Sequence, residues 1–215
     1  MQQRFDEGAA GLESLKELGG VDVEARSRRL ARLVAERAVD EGLADVTYGL
    51  VDSPFGPLLV ALTPRGLVKL HYPNGDFDRE LEGLASKVSP RIVQSAKSTE
   101  DVRRQLDEYF DGRRKRFDIP LDLQLTAGFS KRVLTATARI PFGSMATYRD
   151  VAGRAGNPLA TRAAGNALGS NPVPIVVPCH RVVRTGGGLG GYTGGLDRKR
   201  RLLELEGALG PHPRP

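Results

Sequence analysis

Hydrophobic residues alternate with polar or small residues in the stretch that begins at Val46, and this spacing is typical of half-buried β-strands. Val46, Tyr48 and Leu50 mark the first strand. Two further apolar runs, over residues 58–62 and 67–72, follow at short intervals and are separated by turns that contain Pro and Gly. Three strands joined by tight turns predict an antiparallel meander.

Helical spacing takes over after the meander. Apolar residues three or four positions apart predict one helix over residues 77–88 and another over residues 102–110, with a short strand at residues 92–93 between them. Together these elements predict a small α+β domain over residues 45–122.

A separate amphipathic helix is predicted ahead of this domain, over residues 23–42. It rests on four apolar residues at helical spacing: Leu30, Leu33, Val34 and Ala38. Residues 1–20 show no clear periodicity, and we expect them to fray. We interpret residues 1–44 as a helical N-terminal extension and expect its helix to pack against the next domain.

The chain from residue 123 to 215 has a different character, with short helices and a glycine-rich loop. We expect four helices, over residues 129–140, 147–155, 159–170 and 196–206. The second and third are joined by a tight turn that contains Gly and have the proportions of a helix-turn-helix. Seven of the ten residues from 186 to 195 are Gly, which suits a loop that approaches a substrate closely.

Composition narrows the class of protein. The chain has 215 residues, of which 40% are hydrophobic and 27% charged, a globular mixture. No apolar run approaches the roughly 20 residues that cross a bilayer, and the N-terminus lacks the apolar centre of a signal peptide. One cysteine excludes an internal disulfide and a multi-cysteine zinc site, so we expect a reducing cytoplasm as the compartment.

Charge is unevenly distributed along the chain. The net charge is +6, but the residues from Phe129 onward hold 13 Lys or Arg against 4 Asp or Glu. The preceding 128 residues have a balance of −3. This asymmetry suggests that the part of the chain from Phe129 onward binds a polyanion. The alternative is that its surface is charged only to keep the protein soluble.

The single cysteine, Cys179, lies in the most informative stretch of the chain. A cysteine flanked by valines is often an inert core residue, but His180 and Arg181 next to it favour a reactive thiolate. Neighbouring side chains on a regular strand point to opposite faces, so the two could cooperate only through a turn or a water. Because prolines at 172, 174 and 178 disfavour a paired strand, we predict that Cys179 lies at a bend.

The third C-terminal helix has an unusual composition, with Arg162 as its only charged residue among alanines and glycines. Such a slim helix could enter the minor groove of DNA with Arg162 as a wedge; the alternative is close packing of two helices through small residues. Gly186 to Gly191 fits a dinucleotide fingerprint in form only, since no helix opens there. Three scattered histidines give no case for a metal.

The stretch NPVPIVVPCHRVV over residues 171–183 closely resembles the active-site signature of the O6-alkylguanine-DNA alkyltransferases. The resemblance covers residues 129–207 strongly and residues 45–122 by pattern only. It extends to four flanking segments: residues 146–148, 155–158, 191–196 and 202–207. It implies an α+β protein, in which an N-terminal antiparallel-sheet domain with flanking helices, RNase H-like, precedes a mostly helical C-terminal domain with a helix-turn-helix.

The resemblance implies DNA repair by direct reversal of damage. Cys179 would take a methyl or other alkyl group irreversibly from O6-alkylguanine, and also from O4-alkylthymine, after the nucleotide is flipped out of duplex DNA. His180 would take the thiol proton through a water, and Glu206 would orient the histidine. Asn171 would tie the recognition helix to the active-site turn, and Tyr148 would protonate the departing guanine. No cofactor and no metal are expected.

The same resemblance implies the contacts with DNA and substrate. Arg162 would fill the space of the flipped nucleotide from the minor groove, and Tyr148 would push the adjacent phosphate. Backbone contacts are expected from Ser130, Arg149, Asn157 and Thr185, and the substrate pocket is expected to include Pro174, Val182, Tyr192 and Thr193. We expect no membrane partner and a monomer in solution, with clustering on DNA left open. Two rival functions are a non-reacting lesion-binding helix-turn-helix protein and a cysteine hydrolase.

Overall fold

The computed structural model describes residues 23–72 and 76–210. Helix α1 covers residues 23–40 and precedes an α+β region. The elements of that region are β1 (Val46–Val51), β2 (Leu58–Thr63), β3 (Gly66–His71), α2 (Phe77–Lys87), β4 (Ile92–Gln94) and α3 (Ala96–Phe110). The remaining elements are α4 (Gly128–Thr137), β5 (Ala146–Thr147), α5 (Tyr148–Arg154), α6 (Thr161–Gly169), β6 (Val182–Val183) and α7 (Leu196–Leu205). No helix within these residues is long and apolar enough to cross a membrane.

The first sheet has four strands in the order β3-β2-β1-β4. The meander is confirmed, since β1 pairs antiparallel with β2 and β2 pairs antiparallel with β3. The fourth strand departs from the expected antiparallel sheet, because β4 pairs parallel with β1 and aligns Val93 with Thr47. Helix α2 connects β3 to β4 across the sheet, and such a crossover permits parallel pairing where a hairpin does not. The α+β class is confirmed, and the sheet is mixed.

Helices α4, α5 and α6 pack against one another and contain the predicted helix-turn-helix, α5 and α6. Helix α5 begins with a capping box, in which Thr147 and Asp150 exchange hydrogen bonds between side chain and backbone. Helix α6 begins two residues later than predicted, because the Asn157 carboxamide accepts a hydrogen bond from the Leu159 amide and holds that residue in the turn. Ala164 and Ala167 are buried and serve close helix packing, whereas Ala163 and Gly169 are exposed on the opposite side of α6.

The two regions share one hydrophobic core, and later segments of the chain cover the outer edge of β3. The Leu70 amide of β3 donates a hydrogen bond to the Pro172 carbonyl, at 2.8 Å. This bond joins the sheet to the segment that leads to Cys179. The N-terminal sheet therefore supports the turn that carries the candidate nucleophile.

Helix α1 forms as predicted, but it does not bury its apolar stripe. Leu30, Leu33 and Val34 are 65%, 54% and 64% exposed. Contact with the sheet region comes instead at the end of the helix, where Asp40 forms an ion pair with Lys97. Ala35 and Ala38 are half-buried, so the predicted packing against the next domain is limited, within the described residues, to the second half of the helix. The expectation for residues 1–20 lies outside them.

Candidate active site and DNA-facing helices

The segment that carries Cys179 is bent, as the prolines predict. Cys179, His180 and Arg181 form a single 3₁₀ turn, and β6 begins only at Val182. The Cys179 amide bonds to the Val177 carbonyl across Pro178, whose φ of −79° and ψ of 64° are those of an inverse γ-turn. The side chains of Cys179 and His180 are therefore not constrained to opposite faces of a strand.

A second tight turn lies four residues upstream of Cys179, at Ile175. Its φ is 72°, and the Val176 amide bonds to the Pro174 carbonyl, which closes the rarer and more strained form of γ-turn. A β-branched residue adopts this backbone only where its surroundings hold it there. Ile175 is fully buried, so core packing holds the chain that presents the cysteine.

Asn171 connects the end of α6 to the cysteine turn. Its carboxamide nitrogen donates to the Val177 carbonyl at 2.9 Å and to the Cys179 sulfur at 3.1 Å. Its carboxamide oxygen accepts from the Val173 amide at 3.0 Å. One buried side chain thus fixes both the path of the turn and the position of Sγ.

Glu206 lies just after α7 and is the hub of a buried hydrogen-bond network. His180 Nε2 lies 2.9 Å from Oε1. Arg181 donates Nε to Oε2 at 2.7 Å and Nη2 to Oε1 at 2.8 Å, in a bidentate pair. The Tyr109 hydroxyl of α3 donates to Oε1 at 2.6 Å. These donors compensate the cost of a buried charge.

The protonation of the network follows from these contacts. Burial raises the pKa of Glu206, but hydrogen bonds from His180 and Arg181 outweigh it and lower that pKa to about 2. An ionised carboxylate only accepts hydrogen bonds, so His180 carries its proton on Nε2. Burial lowers the pKa of His180, which keeps the imidazole neutral. Its other nitrogen, Nδ1, is buried and has no hydrogen-bond partner among the described residues.

Cys179 does not have the depressed pKa that its neighbours suggested. Burial raises the pKa of the thiol to about 11, against smaller opposing effects of Asn171 and Lys199. Arg181 pairs with Glu206 instead of the sulfur. The expectation that His180 and Arg181 favour a resting thiolate is therefore wrong, and Cys179 is a neutral thiol that must lose its proton during reaction.

Lys199 of α7 is a site residue that the sequence did not reveal. It is fully buried, and its ammonium donates to the carbonyls of Val182, Leu189 and Gly191. Burial lowers the pKa of Lys199 to about 8, so the ammonium remains charged at neutral pH. It anchors the glycine-rich loop to β6 next to Cys179.

A cavity of about 270 Å³ opens beside the sulfur. Its lining comprises Tyr148, Gly165, Leu168, Gly169, Cys179, Gly191, Tyr192 and Thr193. Gly190 has a φ of 70°, and a Cβ atom there would lie 2.7 Å from the Tyr148 hydroxyl, so glycine lets the loop approach that ring. Of the four expected pocket residues, Tyr192 and Thr193 lie in this lining; Pro174 and Val182 are buried outside it.

Most of the residues expected to contact DNA lie on or next to α4, α5 and α6, and Thr185 lies in the loop that follows β6. Arg162 is exposed in the first turn of α6 and forms no hydrogen bond or ion pair with the described residues. Tyr148, at the start of α5, is half-buried and points its hydroxyl toward the Gly191 carbonyl, at 3.4 Å. Ser130 is half-buried, whereas the other three are exposed: Arg149, Asn157 and Thr185.

Long-range contacts explain which site residues the sequence missed. Tyr109 is 97 positions from Glu206 in the chain. Tyr72 is 120 positions from Tyr192, and their hydroxyl oxygens lie 2.9 Å apart. No local spacing relates such pairs. Within the described residues, no group of three or more His, Cys, Asp or Glu could hold a metal ion.

Comparison with known families matches both regions of the chain. Residues 46–123 match the 6-O-methylguanine DNA methyltransferase ribonuclease-like domain. Residues 128–208 match the DNA binding domain of the same methyltransferase.

Individual relatives agree with these matches. A methylated-DNA–protein-cysteine methyltransferase of Methanosarcina acetivorans is 40% identical over 161 residues, which are 75% of this chain and 98% of the relative. The solved structure of Mycobacterium tuberculosis O6-methylguanine methyltransferase is 37% identical, with a TM-score of 0.66 over 77% of this chain and 95% of that one. A structure of Mycobacterium tuberculosis OGT in complex with DNA is 38% identical, with a TM-score of 0.66 over 75% and 93%.

Proposed function

The chain belongs to the 6-O-methylguanine DNA methyltransferase family, and from this premise we propose that Cys179 is the residue that accepts the alkyl group from damaged DNA. Family membership makes the protein a DNA-binding methyltransferase of DNA repair. The observation that supports this role is the cavity beside the Cys179 thiol, which is large enough to admit an alkyl group next to the sulfur. Its alkylated product is a thioether, so each molecule reacts once.

The transfer is a displacement at the alkyl carbon. The sulfur forms a bond to that carbon as the bond from carbon to guanine O6 breaks, and the electron pair leaves with guanine. The thiol proton passes through a water to His180 Nδ1, the buried nitrogen without a partner among the described residues. Tyr148 gives a proton to the departing base, which leaves the guanine neutral. His180 then releases its extra proton to solvent, and the Tyr148 phenolate takes a proton from solvent, so both side chains return to their neutral forms.

Glu206 gives this relay its direction. A neutral imidazole is ready to accept a proton, and the imidazolium that forms is stabilised by the carboxylate 2.9 Å from Nε2. Because burial opposes a resting thiolate, the sulfur becomes nucleophilic only as the relay removes its proton. Asn171 donates a hydrogen bond to Sγ and supports the negative charge that develops there.

Access to a base within duplex DNA requires nucleotide flipping. We assign Arg162 to the space that the flipped nucleotide leaves, with α6 in the minor groove, because α6 is built from small residues and its arginine is exposed without a partner among the described residues. Ser130, Arg149, Asn157 and Thr185 hold phosphates. The protein is a monomer in solution, and it works in a reducing cytoplasm that preserves the thiol.

The experiment is a mass measurement of the intact protein after mixing with a duplex that carries one O6-methylguanine. The expected gain is one CH₂ unit per protein, at one equivalent and no more, on the peptide that contains Cys179. A protein that binds the lesion without a mass change would favour the lesion-binding alternative. A protein that neither binds the lesion nor gains mass would favour the alternative of a cysteine hydrolase.

A further inference from the structure

Tyr72 brings the N-terminal sheet region into contact with the cavity wall. It directly follows β3 and is buried. Its hydroxyl lies 2.9 Å from the hydroxyl of Tyr192, within hydrogen-bond distance. Tyr192 lines the cavity beside Cys179. A single hydrogen bond therefore links a residue outside the DNA-binding region to the space that an alkyl group would occupy.

Tyr72 is itself held in place by aromatic and cationic neighbours. The Phe55 ring meets the Tyr72 ring edge to face at 6.2 Å between centroids. The guanidinium of Arg198 lies over the Tyr72 ring at 4.8 Å, and that of Arg201 lies over the Phe55 ring at 4.8 Å. Two arginines of α7 thus enclose two aromatic rings of the sheet region. These contacts restrict the Tyr72 side chain to one orientation, so its hydroxyl is held in a defined position.

Tyr192 lies in the glycine-rich loop, whose backbone is held on either side of it by Lys199 at the Gly191 carbonyl and by Thr193 at the Gly169 carbonyl, so the direction of its ring depends on side-chain contacts. Its neighbours at 190, 191, 194 and 195 are all glycines. The ring meets His180 edge to face at 6.4 Å and Tyr72 at 6.3 Å. At Gly194, a Cβ atom would lie 2.7 Å from the Tyr192 ring and 2.9 Å from the Tyr72 ring, so this close arrangement requires glycine.

We propose that Tyr72 is a positioning residue that limits the size of the alkyl group by holding Tyr192 as a wall of the cavity. The inference rests on the proposed function, because it concerns the substrate range of that same site. With the hydroxyl pair intact, the Tyr192 ring stays at the edge of the 270 Å³ space. When the hydrogen bond between the two hydroxyls is lost, the Tyr192 ring can turn away from the cavity. The larger cavity then accepts a bulkier alkyl group, whereas the rate of methyl transfer does not increase.

The test compares two substrates in one protein. Tyr72→Phe removes the hydroxyl and keeps the ring that packs on Phe55 and Arg198. We measure the rate constants of transfer from duplexes that carry O6-methylguanine or O6-benzylguanine. The ratio of the benzyl to the methyl rate constant is expected to rise roughly 2- to 10-fold, the equivalent of one net hydrogen bond. Tyr48→Phe is the matched control, a half-buried tyrosine of β1 packed on the other side of the sheet, and leaves the ratio unchanged.

A second variant removes the same bond from the other side. Tyr192→Phe should raise the ratio as Tyr72→Phe does, and the double variant should add nothing further, since both changes remove one interaction. An unchanged ratio in Tyr72→Phe would overturn the proposal, as would equal losses of both rates, which indicate a merely structural role. A rise in Tyr72→Phe that Tyr192→Phe does not share would also overturn it. Methyl transfer by the unmodified protein tests the proposed function separately.

Discussion

The two regions of the molecule use their basic residues differently. Five arginines between residues 91 and 114 form ion pairs with carboxylates of the same region: Arg91, Arg103, Arg104, Arg113 and Arg114. In the C-terminal region, eight exposed cations form no ion pair with the described residues: Lys131, Arg132, Arg139, Arg149, Arg154, Arg162, Arg184 and Arg201. Between residues 45 and 127, four exposed cations form none: Arg79, Lys87, Lys115 and Arg116. The ion pairs found in the C-terminal region all converge on the buried Glu206.

This difference separates two roles of charge. Exposed ion pairs contribute little to stability, but they neutralise the surface on which they lie. Cations without carboxylate partners keep their charge available for phosphates. The buried pairs at Glu206 serve a third purpose, because they fix the protonation of His180 beside the reactive sulfur. The comparison therefore predicts that substitutions in the C-terminal region change repair and that matched substitutions near α3 do not.

The largest effect is expected at Cys179. Cys179→Ser should abolish alkyl transfer, because a hydroxyl is a far weaker nucleophile at this site, and should retain binding to the lesion. The mass assay and a DNA-binding titration check the two halves of this prediction. Transfer that persists in the variant would remove the assignment of the nucleophile.

The next largest effect is expected at Glu206. Glu206→Gln leaves Arg181 as a buried cation without a charged partner, and should cost about 3–5 kcal/mol in the free energy of unfolding. It should also slow transfer, since the imidazolium loses its counter-charge. Denaturant unfolding and single-turnover kinetics measure both. Glu204→Gln, in the last turn of α7 and without an ion pair among the described residues, is the control and should change neither the free energy of unfolding nor the rate of transfer much.

A smaller and more selective effect is expected at Arg162. Arg162→Ala should slow repair of duplex DNA about tenfold or more, the equivalent of about 1.4 kcal/mol of lost stabilisation, and should leave reaction with free O6-benzylguanine nearly unchanged. The reason is that only the duplex requires a flipped nucleotide. Arg104→Ala on α3 should affect neither reaction. Equal slowing of both substrates would exclude the flipping role.

The pH dependence probes the network at the centre of the C-terminal region. Because burial lowers the pKa of His180 below its usual 6.5, the imidazole stays neutral and able to accept a proton until the pH is below that value. The rate constant of alkyl transfer should therefore be independent of pH near pH 7 and decrease only at more acidic pH. Stability should fall in the same direction below pH 6.5, because the unfolded chain binds the proton first. A rate that falls between about pH 8 and pH 7 would contradict this sign.

The smallest effect is expected from Arg149→Ala, which tests whether an unpaired surface cation contributes to DNA binding. Arg149→Ala should weaken binding to every duplex, damaged or not, because one phosphate of the backbone is no longer neutralised by the protein. The slope of log affinity against log salt should become shallower by about 0.9. Arg103→Ala, whose arginine is paired with Glu100 and Asp107, should leave the slope unchanged. Equal effects of the two substitutions would break the comparison between the regions.

Features that depend on near neighbours in the chain follow from the amino-acid sequence alone. The alternation after Val46 specified the meander, and the prolines around Cys179 specified the bend, since proline lacks the backbone donor of a paired strand. The signature over residues 171–183 identified the family that the comparisons confirm. Each of these signals lies within one element or one turn, where residue type constrains the local backbone directly.

Features that depend on contacts between distant parts of the chain arise only in the folded protein. The tertiary structure set the parallel pairing of β4, left Leu30 and Leu33 of α1 exposed, and buried the Cys179 thiol in its neutral form. It also brought Tyr109 to Glu206. Burial and electrostatic environment are sums over residues that are far apart in the chain, so a charged neighbour in sequence such as Arg181 can turn away from the sulfur and pair elsewhere. That is why the sequence indicated the reactive residue, whereas only the packed structure fixed its protonation.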